Sequence, residues 1–147
     1  MFTKILVATD GSDHANHALK YATESAVKWD AKLIILSVIP PIRPIIPDPD
    51  ELFLTHTSEF DNRLESSYKK ILDEAVNTAV KSHPDIKFEA RLKKGHPANV
   101  IVDVAKSEGV DLIVMGSRGL GGITGSILGS TSQAVVHSCT CPILIIK

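Results

Sequence analysis

The sequence has few cysteines, no long apolar run and no excess of basic charge. Its two cysteines, Cys139 and Cys141, are too few for the disulfide framework of a small secreted domain. No apolar run approaches the roughly 20 residues that a membrane-spanning helix needs. Sixteen basic and seventeen acidic residues give a net charge of −1, without the basic surface that nucleic acid attracts. We therefore expect neither a nucleic-acid partner nor a membrane partner.

The beginning of the sequence, MFTKILVATDGS, also lacks the features of a signal peptide. It has no charged start, long apolar core or small-residue cleavage site before the first predicted strand. A hydrophobic content of 44% over 147 residues is ordinary for one globular domain. We expect a cytoplasmic protein that forms a single domain over residues 1–147.

The common phosphate-binding signatures GxxxxGK[ST] and GxGxxG are absent, yet residues 115–131 hold six of the nine glycines. This stretch, MGSRGLGGITGSILGST, follows the apolar run DLIVM and precedes a helical pattern that begins near Ser130. Strand, glycine-rich loop and helix amino terminus together are typical of a phosphate site. A plain surface connection is the alternative. The twelve residues from Ser117 to Leu128 exceed the usual 2–6 of such connections, which favours a functional loop.

Hydrophobic periodicity predicts alternating strands and helices. Predicted strands cover 4–9, 32–39, 86–92, 111–115 and 142–146, and predicted helices begin at Ser12 or Asp13, near Phe60, at Pro97 and at Thr131. The second helix carries one apolar stripe, formed by Phe53, Phe60, Leu64, Tyr68, Ile71, Leu72, Ala75, Val76, Ala79 and Val80. This order predicts a doubly wound, Rossmann-like α/β fold with five parallel strands in the order 3-2-1-4-5 and helices on both faces. The third strand alternates apolar and polar residues, as an edge strand does. Strands one and four should be neighbours, with residues 9–12 facing the glycine-rich loop.

Two further segments allow alternative interpretations. Residues 40–49 contain five prolines and form either a stiff surface loop, which we favour, or a lid over a ligand. His137, Cys139 and Cys141 could be metal ligands, but their spacing does not match structural zinc sites. Packing of both cysteines against the core is the favoured interpretation.

The spacing of Gly116, Gly119, Gly129 and Ser130, G-x2-G-x9-G-[ST], resembles the nucleotide loop of the universal stress protein family. The resemblance implies binding of ATP, or of AMP or ADP, and a homodimer paired through residues 142–146. It extends over nearly the whole chain, through ILVATDGS (5–12), GHP (95–97), DLIVMGSRG (111–119) and GSTSQAVVHSCTCPILIIK (129–147).

The resemblance also implies roles for particular residues. The backbone at Thr9 and Val38 would hold the adenine, and Asp10 would lie near the ribose or the metal. The remaining implied contacts are Met115 and Gly116 along the nucleotide, and Ser117, Arg118, Gly119, Gly129, Ser130 and Thr131 around the phosphates.

The residues themselves restrict the chemistry. Apart from His137, Arg118 is the one basic side chain between Lys106 and Lys147, so backbone N–H groups and Mg²⁺ must neutralise most of a triphosphate. Asp10 is the nearby carboxylate for Mg²⁺, or alternatively a cap of the first helix. Ser130 is likewise either a helix cap or a phosphate ligand.

Two functions are compatible with these features. One is an ATP-holding regulatory module of the stress response, and the other is an enzyme that slowly hydrolyses ATP or handles adenylate. Phosphoryl transfer needs a positioned nucleophile and added positive charge, and the loop has no lysine. His14 and His96 are candidate bases only by their location. We therefore expect no dedicated catalytic residue.

Overall fold

The computed structural model of the chain describes residues 1–41, 56–119 and 128–147, without the side chains of 56–59. Predictions for Phe53, for Pro44 to Pro49 and for most of the glycine-rich loop therefore lie outside the described residues. The elements follow in the order β1 (Lys4–Ala8), α1 (Asp13–Trp29), β2 (Lys32–Ile39), α2 (His56–Ser82), β3 (Phe88–Lys94), α3 (Pro97–Glu108), β4 (Leu112–Gly116), α4 (Ser130–Ser138) and β5 (Ile143–Ile146).

The five strands form one parallel sheet in the order β3-β2-β1-β4-β5. This confirms the predicted order, including the contact between strands one and four, where Ile5 pairs with Leu112. Because the chain winds outward from β1 in both directions, the carboxyl ends of β1 and β4 flank the reversal at which ligands bind in such folds.

Two hydrophobic cores cover the two faces of the sheet. Ile5, Val7, Leu33 and Ile35 pack on one face against α1 and the second half of α2. Alternate residues of the same strands pack on the other face against α3 and α4, with Leu6, Ile34, Leu36, Ile113 and Val135 at its centre. The central strands are buried on both sides, which explains their unbroken apolar runs.

The helix ends agree with local sequence signals. The hydroxyl of Ser12 accepts a hydrogen bond from the N–H of Ala15 and so caps α1. Pro97 is the first residue of α3, and Gly109 ends it with φ 64°, where an L side chain would be strained. Within the described ranges, no helix combines the length and apolar character that crossing a membrane requires.

The main differences from the prediction concern the start of β3 and the burial of Phe60. β3 begins at Phe88 rather than Ile86, because the N–H of Ile86 donates to the carbonyl of His83 in the turn after α2. Phe60, predicted to lie on the buried stripe of α2, is 55% exposed. α2 has 27 residues and is about 40 Å long, whereas the eight-residue β2 beside it spans about 26 Å. The first turns of α2 therefore extend beyond the sheet.

Candidate functional site

The carboxyl ends of β1, β2 and β4 open into a cleft of about 480 Å³. Its volume is within the range of small-molecule sites, about 300–1,000 Å³. The first turn of α4 forms one wall, and Tyr68 of α2 and Pro97 of α3 also line the cleft. The topology alone predicts a site at this position, because the reversal of winding leaves a crevice between the diverging helices.

The structure brings ten of the eleven predicted ligand residues together in this cleft. They are Thr9, Asp10, Val38, Met115, Gly116, Arg118, Gly119, Gly129, Ser130 and Thr131. The exception is Ser117, whose side chain is only 2% exposed and does not line the cleft. Its hydroxyl lies 3.3 Å from Nδ1 of His14 in α1.

Ser117 instead holds the base of the glycine-rich loop together. Its N–H donates to the carbonyl of Ile146 at 2.7 Å, and its carbonyl accepts from the N–H of Gly129 at 2.6 Å. The hydroxyl of Ser132 donates to the same carbonyl at 3.1 Å. The N–H groups of Ser117 and Gly129 are thus paired with other parts of the protein, so the donors for a phosphate must come from neighbouring residues.

The groups best placed to attract an anion are in the first turn of α4. Gly129 is the N-cap of this helix and has no side chain with which to cap it. The first N–H groups of an α-helix have no partner within the helix, and the helix dipole makes this end positive. Ser130, Thr131 and Ser132 form this turn and all line the cleft. Ser130 is therefore the first helical residue rather than the N-cap.

The glycines near the cleft are required for close approach rather than for unusual backbone angles. Among the described glycines, φ is positive at Gly11, Gly95 and Gly109, not in the loop. A β-carbon built on Gly116 would lie 2.8 Å from the carbonyl carbon of His14. One built on Gly119 would lie 2.5 Å from Oδ2 of Asp10. Gly116 lets the end of β4 pack directly on α1, and Gly119 lets the segment after β4 pack on the turn after β1.

Asp10 holds the turn after β1 and also faces the cleft. Its Oδ1 accepts the N–H of Ser12 at 3.0 Å, while Ser12 itself caps α1. The helix-capping role considered for Asp10 therefore belongs to Ser12. Within the described ranges, no three His, Cys, Asp or Glu side chains lie together as a metal site. One carboxylate suits Mg²⁺ that is held mainly by phosphates and water, as is common for this ion.

Comparison with known proteins agrees with this geometry. The model of the universal stress protein family matches residues 1–147. The chain belongs to the universal stress protein family. A universal stress protein of Thermus aquaticus is 35% identical over 147 residues, and YxiE of Bacillus subtilis is 36% identical over 154, with the alignments covering both chains completely.

Solved structures of similar proteins share the fold. The hypothetical protein MJ0577, studied as a test of assigning biochemical function from structure, has a TM-score of 0.76 and 30% identity, over 100% of this chain and 96% of its own. A universal stress protein solved in complex with cAMP has a TM-score of 0.72 and 29% identity, over 99% of this chain and 97% of its own.

The backbone of Thr9, just after β1, is largely paired with β2. Its N–H donates to the carbonyl of Leu36 at 2.9 Å, and its carbonyl accepts from the hydroxyl of Ser37 at 3.0 Å. A carbonyl has two lone pairs, so the oxygen of Thr9 can accept one more bond. Beside it, Ala8, Leu36, Val38 and Met115 give the cleft an apolar wall.

Tyr68 is a lining residue that the sequence predicts only as part of the apolar stripe of α2. α2 packs closely on the turn after β1, where a β-carbon added to Gly11 would lie 3.2 Å from Cγ1 of Ile71. This packing places Tyr68 at the cleft. Burial raises the pKa of the Tyr68 hydroxyl, and the negative charge of Asp10 raises it further. The one sign of a site residue in the sequence is a tyrosine among largely aliphatic residues of the stripe. Periodicity alone does not predict how deeply its side chain is buried.

Proposed function

We propose that this member of the universal stress protein family is an ATP-binding regulatory module of the stress response. The observation that carries the proposal is the first turn of α4, which has no side-chain cap at Gly129 and lines the cleft beyond β1 and β4. A relative of the same fold at 29% identity has been solved with cAMP, which supports an adenine nucleotide as the ligand class.

The two sides of the cleft differ in the way that a nucleotide requires. The side formed by β2 is apolar, because Leu36 and Val38 line it. The sheet order places β1 between β2 and the glycine-rich segment, so a ligand crossing β1 reaches α4. An adenine ring against the β2 side thus has its phosphates at the α4 side.

The phosphate side relies on dipoles more than on charged side chains. Arg118 is the one basic residue among the described residues that line the cleft. Its guanidinium can bind two phosphate oxygens at once, and the N–H groups of Ser130 and Thr131 add further donors. Mg²⁺ held by Asp10 and the phosphates would offset the remaining negative charge.

The alternative is slow ATP hydrolysis at the same site. Fast phosphoryl transfer needs an oriented nucleophile and several positive groups around the transferred phosphoryl. Neither His14 nor His96 lines the cleft, since His14 lies against Ser117 and His96 precedes α3. A regulatory role in which bound nucleotide changes partner choice therefore fits the residues better than catalysis.

We also propose that two copies of the chain pair through β5. This strand is one edge of the sheet, and Leu144 at its centre is 38% exposed. An edge strand carries unpaired N–H and C=O groups that a second copy can satisfy. Such pairing would extend two five-stranded sheets into one.

The binding test is titration of the purified protein with ATP, AMP, cAMP and GTP, each with and without Mg²⁺, by calorimetry. We expect adenine nucleotides to bind and GTP to bind more weakly. Gly119→Val should abolish binding, whereas Ala90→Val, which enlarges an exposed residue of β3, should not. If a folded wild-type protein binds no adenine nucleotide, the proposal is wrong.

A second assay separates the module from the enzyme. ATP and Mg²⁺ are incubated with the protein for hours, and the release of phosphate and AMP is followed. We expect intact ATP to remain bound. Turnover faster than about one per second, the lower end of ordinary turnover numbers, would show that the protein is an enzyme rather than a regulatory module.

A further inference from the structure

The chain between α4 and β5 carries two thiols whose sulfur atoms lie close together. The Sγ atoms of Cys139 and Cys141 are 3.9 Å apart, and Sγ of Cys139 donates to the carbonyl oxygen of Cys141 at 3.1 Å. Both cysteines are free and partly exposed. Side chains two residues apart in an extended chain are normally separated by about 6–7 Å, so this approach is a specific feature of the segment.

A small hollow gives access to the pair. It has a volume of about 260 Å³ and lies between the end of α3 and the segment 139–141. Val102, Ala105 and Val110 form its apolar wall, and Lys106 lies at the same hollow. The hollow is separate from the cleft at the strand ends, because the two sets of lining residues have no member in common.

We propose that Cys139 and Cys141 are a redox-active dithiol that closes to an intrachain disulfide by exchange with a low-molecular-weight disulfide. The thiolate of Cys139 attacks one sulfur of the small disulfide, forms a mixed disulfide and releases one small thiolate. The thiolate of Cys141 then attacks Sγ of Cys139 and releases the second. Two protein thiols are oxidised, one small disulfide is reduced to two thiols, and the two protons pass to the released thiolates.

The local backbone makes closure feasible and the product easy to reduce. A disulfide needs its Cβ atoms about 3.5–4.5 Å apart, so the chain around Thr140 must bend. Thr140 is exposed, and residues 139–142 belong to neither helix nor strand. Cys139 is extended, with φ −89° and ψ 152°. A bond closed over so short a loop is strained, and strained disulfides are the labile ones.

The surroundings of Cys141 hold its thiol in the protonated form near neutral pH, which slows the second exchange step. Burial raises the pKa of the Cys141 thiol to about 11, and Cys139 and the charge of Asp111 also raise it. Lys106 of α3 also lies at this hollow. The attacking species is the thiolate, so the second exchange step should quicken as pH rises from 7 to 9.

Closure would act on a segment with two further contacts. Pro142 directly follows Cys141, and its carbonyl accepts the N–H of Ile113 in β4. At the other end of β5, Ile146 accepts the N–H of Ser117 at the base of the glycine-rich loop. The dithiol therefore adjoins the strand that holds this loop, although its oxidation does not depend on nucleotide binding.

The test is incubation of the full chain with glutathione disulfide at pH 7 and pH 9, followed by acid quench, alkylation and intact mass measurement. We expect wild-type protein to lose two hydrogen atoms and to retain no glutathione, with faster closure at pH 9. Excess reduced glutathione should restore both thiols. Cys139→Ser and Cys141→Ser should each stop at the mixed disulfide or remain unmodified.

Phenylarsine oxide gives an independent measure, because it condenses with two neighbouring thiols and releases one water. Wild-type protein should bind one equivalent, and either single serine variant should lose it on washing. Stable glutathione adducts on wild-type protein at pH 9, disulfides only between chains, or arsenical retention equal to that of the variants would each overturn the proposal.

Discussion

The N–H of Gly129 donates a 2.6 Å hydrogen bond to the carbonyl of Ser117, so the chain leaves β4 and enters α4 at one point. The hydroxyl of Ser132 strengthens this junction by donating to the carbonyls of Ser117 and Gly129 at 3.1 and 3.0 Å. These hydrogen bonds hold the two ends of the glycine-rich loop, Ser117 and Gly129, next to each other.

Ser132→Ala removes the hydrogen bonds from the Ser132 hydroxyl to the carbonyls of Ser117 and Gly129 and leaves the helix otherwise unchanged. Because a buried hydrogen bond contributes about 1 kcal/mol, we expect a similar loss of stability and about fivefold weaker nucleotide binding. Ser138→Ala, at the exposed last residue of the same helix, is the matched control. Urea unfolding and calorimetry measure both. Equal effects of the two substitutions would show that the hydrogen bonds of the Ser132 hydroxyl contribute neither to stability nor to nucleotide binding.

Gly116→Ala should destabilise the fold. Its β-carbon would lie 2.8 Å from the carbonyl carbon of His14 and 3.0 Å from the N–H nitrogen of Ala15. These are backbone atoms of α1 and cannot turn aside, so we expect a cost of about 1–3 kcal/mol. The urea midpoint measures it. An unchanged midpoint would mean that α1 and β4 are less closely packed than the structure shows.

Gly119→Ala should act on ligand binding rather than on stability. The new methyl group meets Oδ2 of Asp10, the end of a side chain that can rotate away. We expect a near-normal urea midpoint but loss of the Mg²⁺-dependent part of ATP affinity, with AMP binding much less affected. Asp10→Ala should have the same effect, and adding Gly119→Ala to it should change little. Additive losses would assign Gly119 a role independent of Asp10.

The dimer proposal predicts a difference between the two sheet edges. Leu144 on β5 and Phe88 on β3 are 38% and 39% exposed, so each offers a similar apolar surface at one edge. Leu144→Arg should yield monomers in analytical ultracentrifugation, because the arginine would meet its copy across the paired strands. Phe88→Arg should leave the dimer intact. Dissociation by Phe88→Arg alone would assign the interface to β3.

Asp111 should stabilise the fold in a pH-dependent way. Burial alone would raise the pKa of Asp111, but bonds from the N–H and hydroxyl of Thr3 and the N–H of Lys4 outweigh it and lower the pKa. Because the pKa of Asp111 is lowered in the folded chain, the ionised carboxylate stabilises the fold at pH values above its ordinary pKa of 3.8. This stabilisation is lost as pH falls below 3.8 and through the folded pKa.

The variant Asp111→Asn tests this assignment. At pH 7 we expect it to cost about 1 kcal/mol, the low end for such bonds because Asp111 is only partly buried. The difference from wild type in urea unfolding should shrink as pH falls below about 4, since protonated aspartic acid resembles asparagine. A difference that stays constant from pH 7 to pH 3 would mean that the charge is not involved.

Sequence reasoning predicted the fold well because its signals are local and repeated. Apolar runs such as 32–39 can be accommodated only as strands buried on both faces, and Ser12, Pro97 and Gly109 mark helix ends by their own chemistry. Strand order followed from the alternation of elements and from the polar alternation in β3. None of these inferences required knowledge of a contact between distant side chains.

The site was predicted less completely because it depends on such contacts. Glycine spacing located the loop but did not show that Ser117 turns inward to His14, or that Gly129 uses its own N–H at the loop base. Both depend on the distance between β4 and α1 in the folded chain. The depth of Tyr68 likewise depends on how far α2 extends past the sheet.

β5 has only four residues, yet it contributes both the exposed Leu144 and the carbonyl that accepts the N–H of Ser117. If two copies pair through this strand, self-association and ligand affinity become thermodynamically linked. Linkage is reciprocal, so a nucleotide that binds the paired form more tightly must tighten the pairing by the same factor. The apparent dissociation constant for nucleotide would then depend on protein concentration.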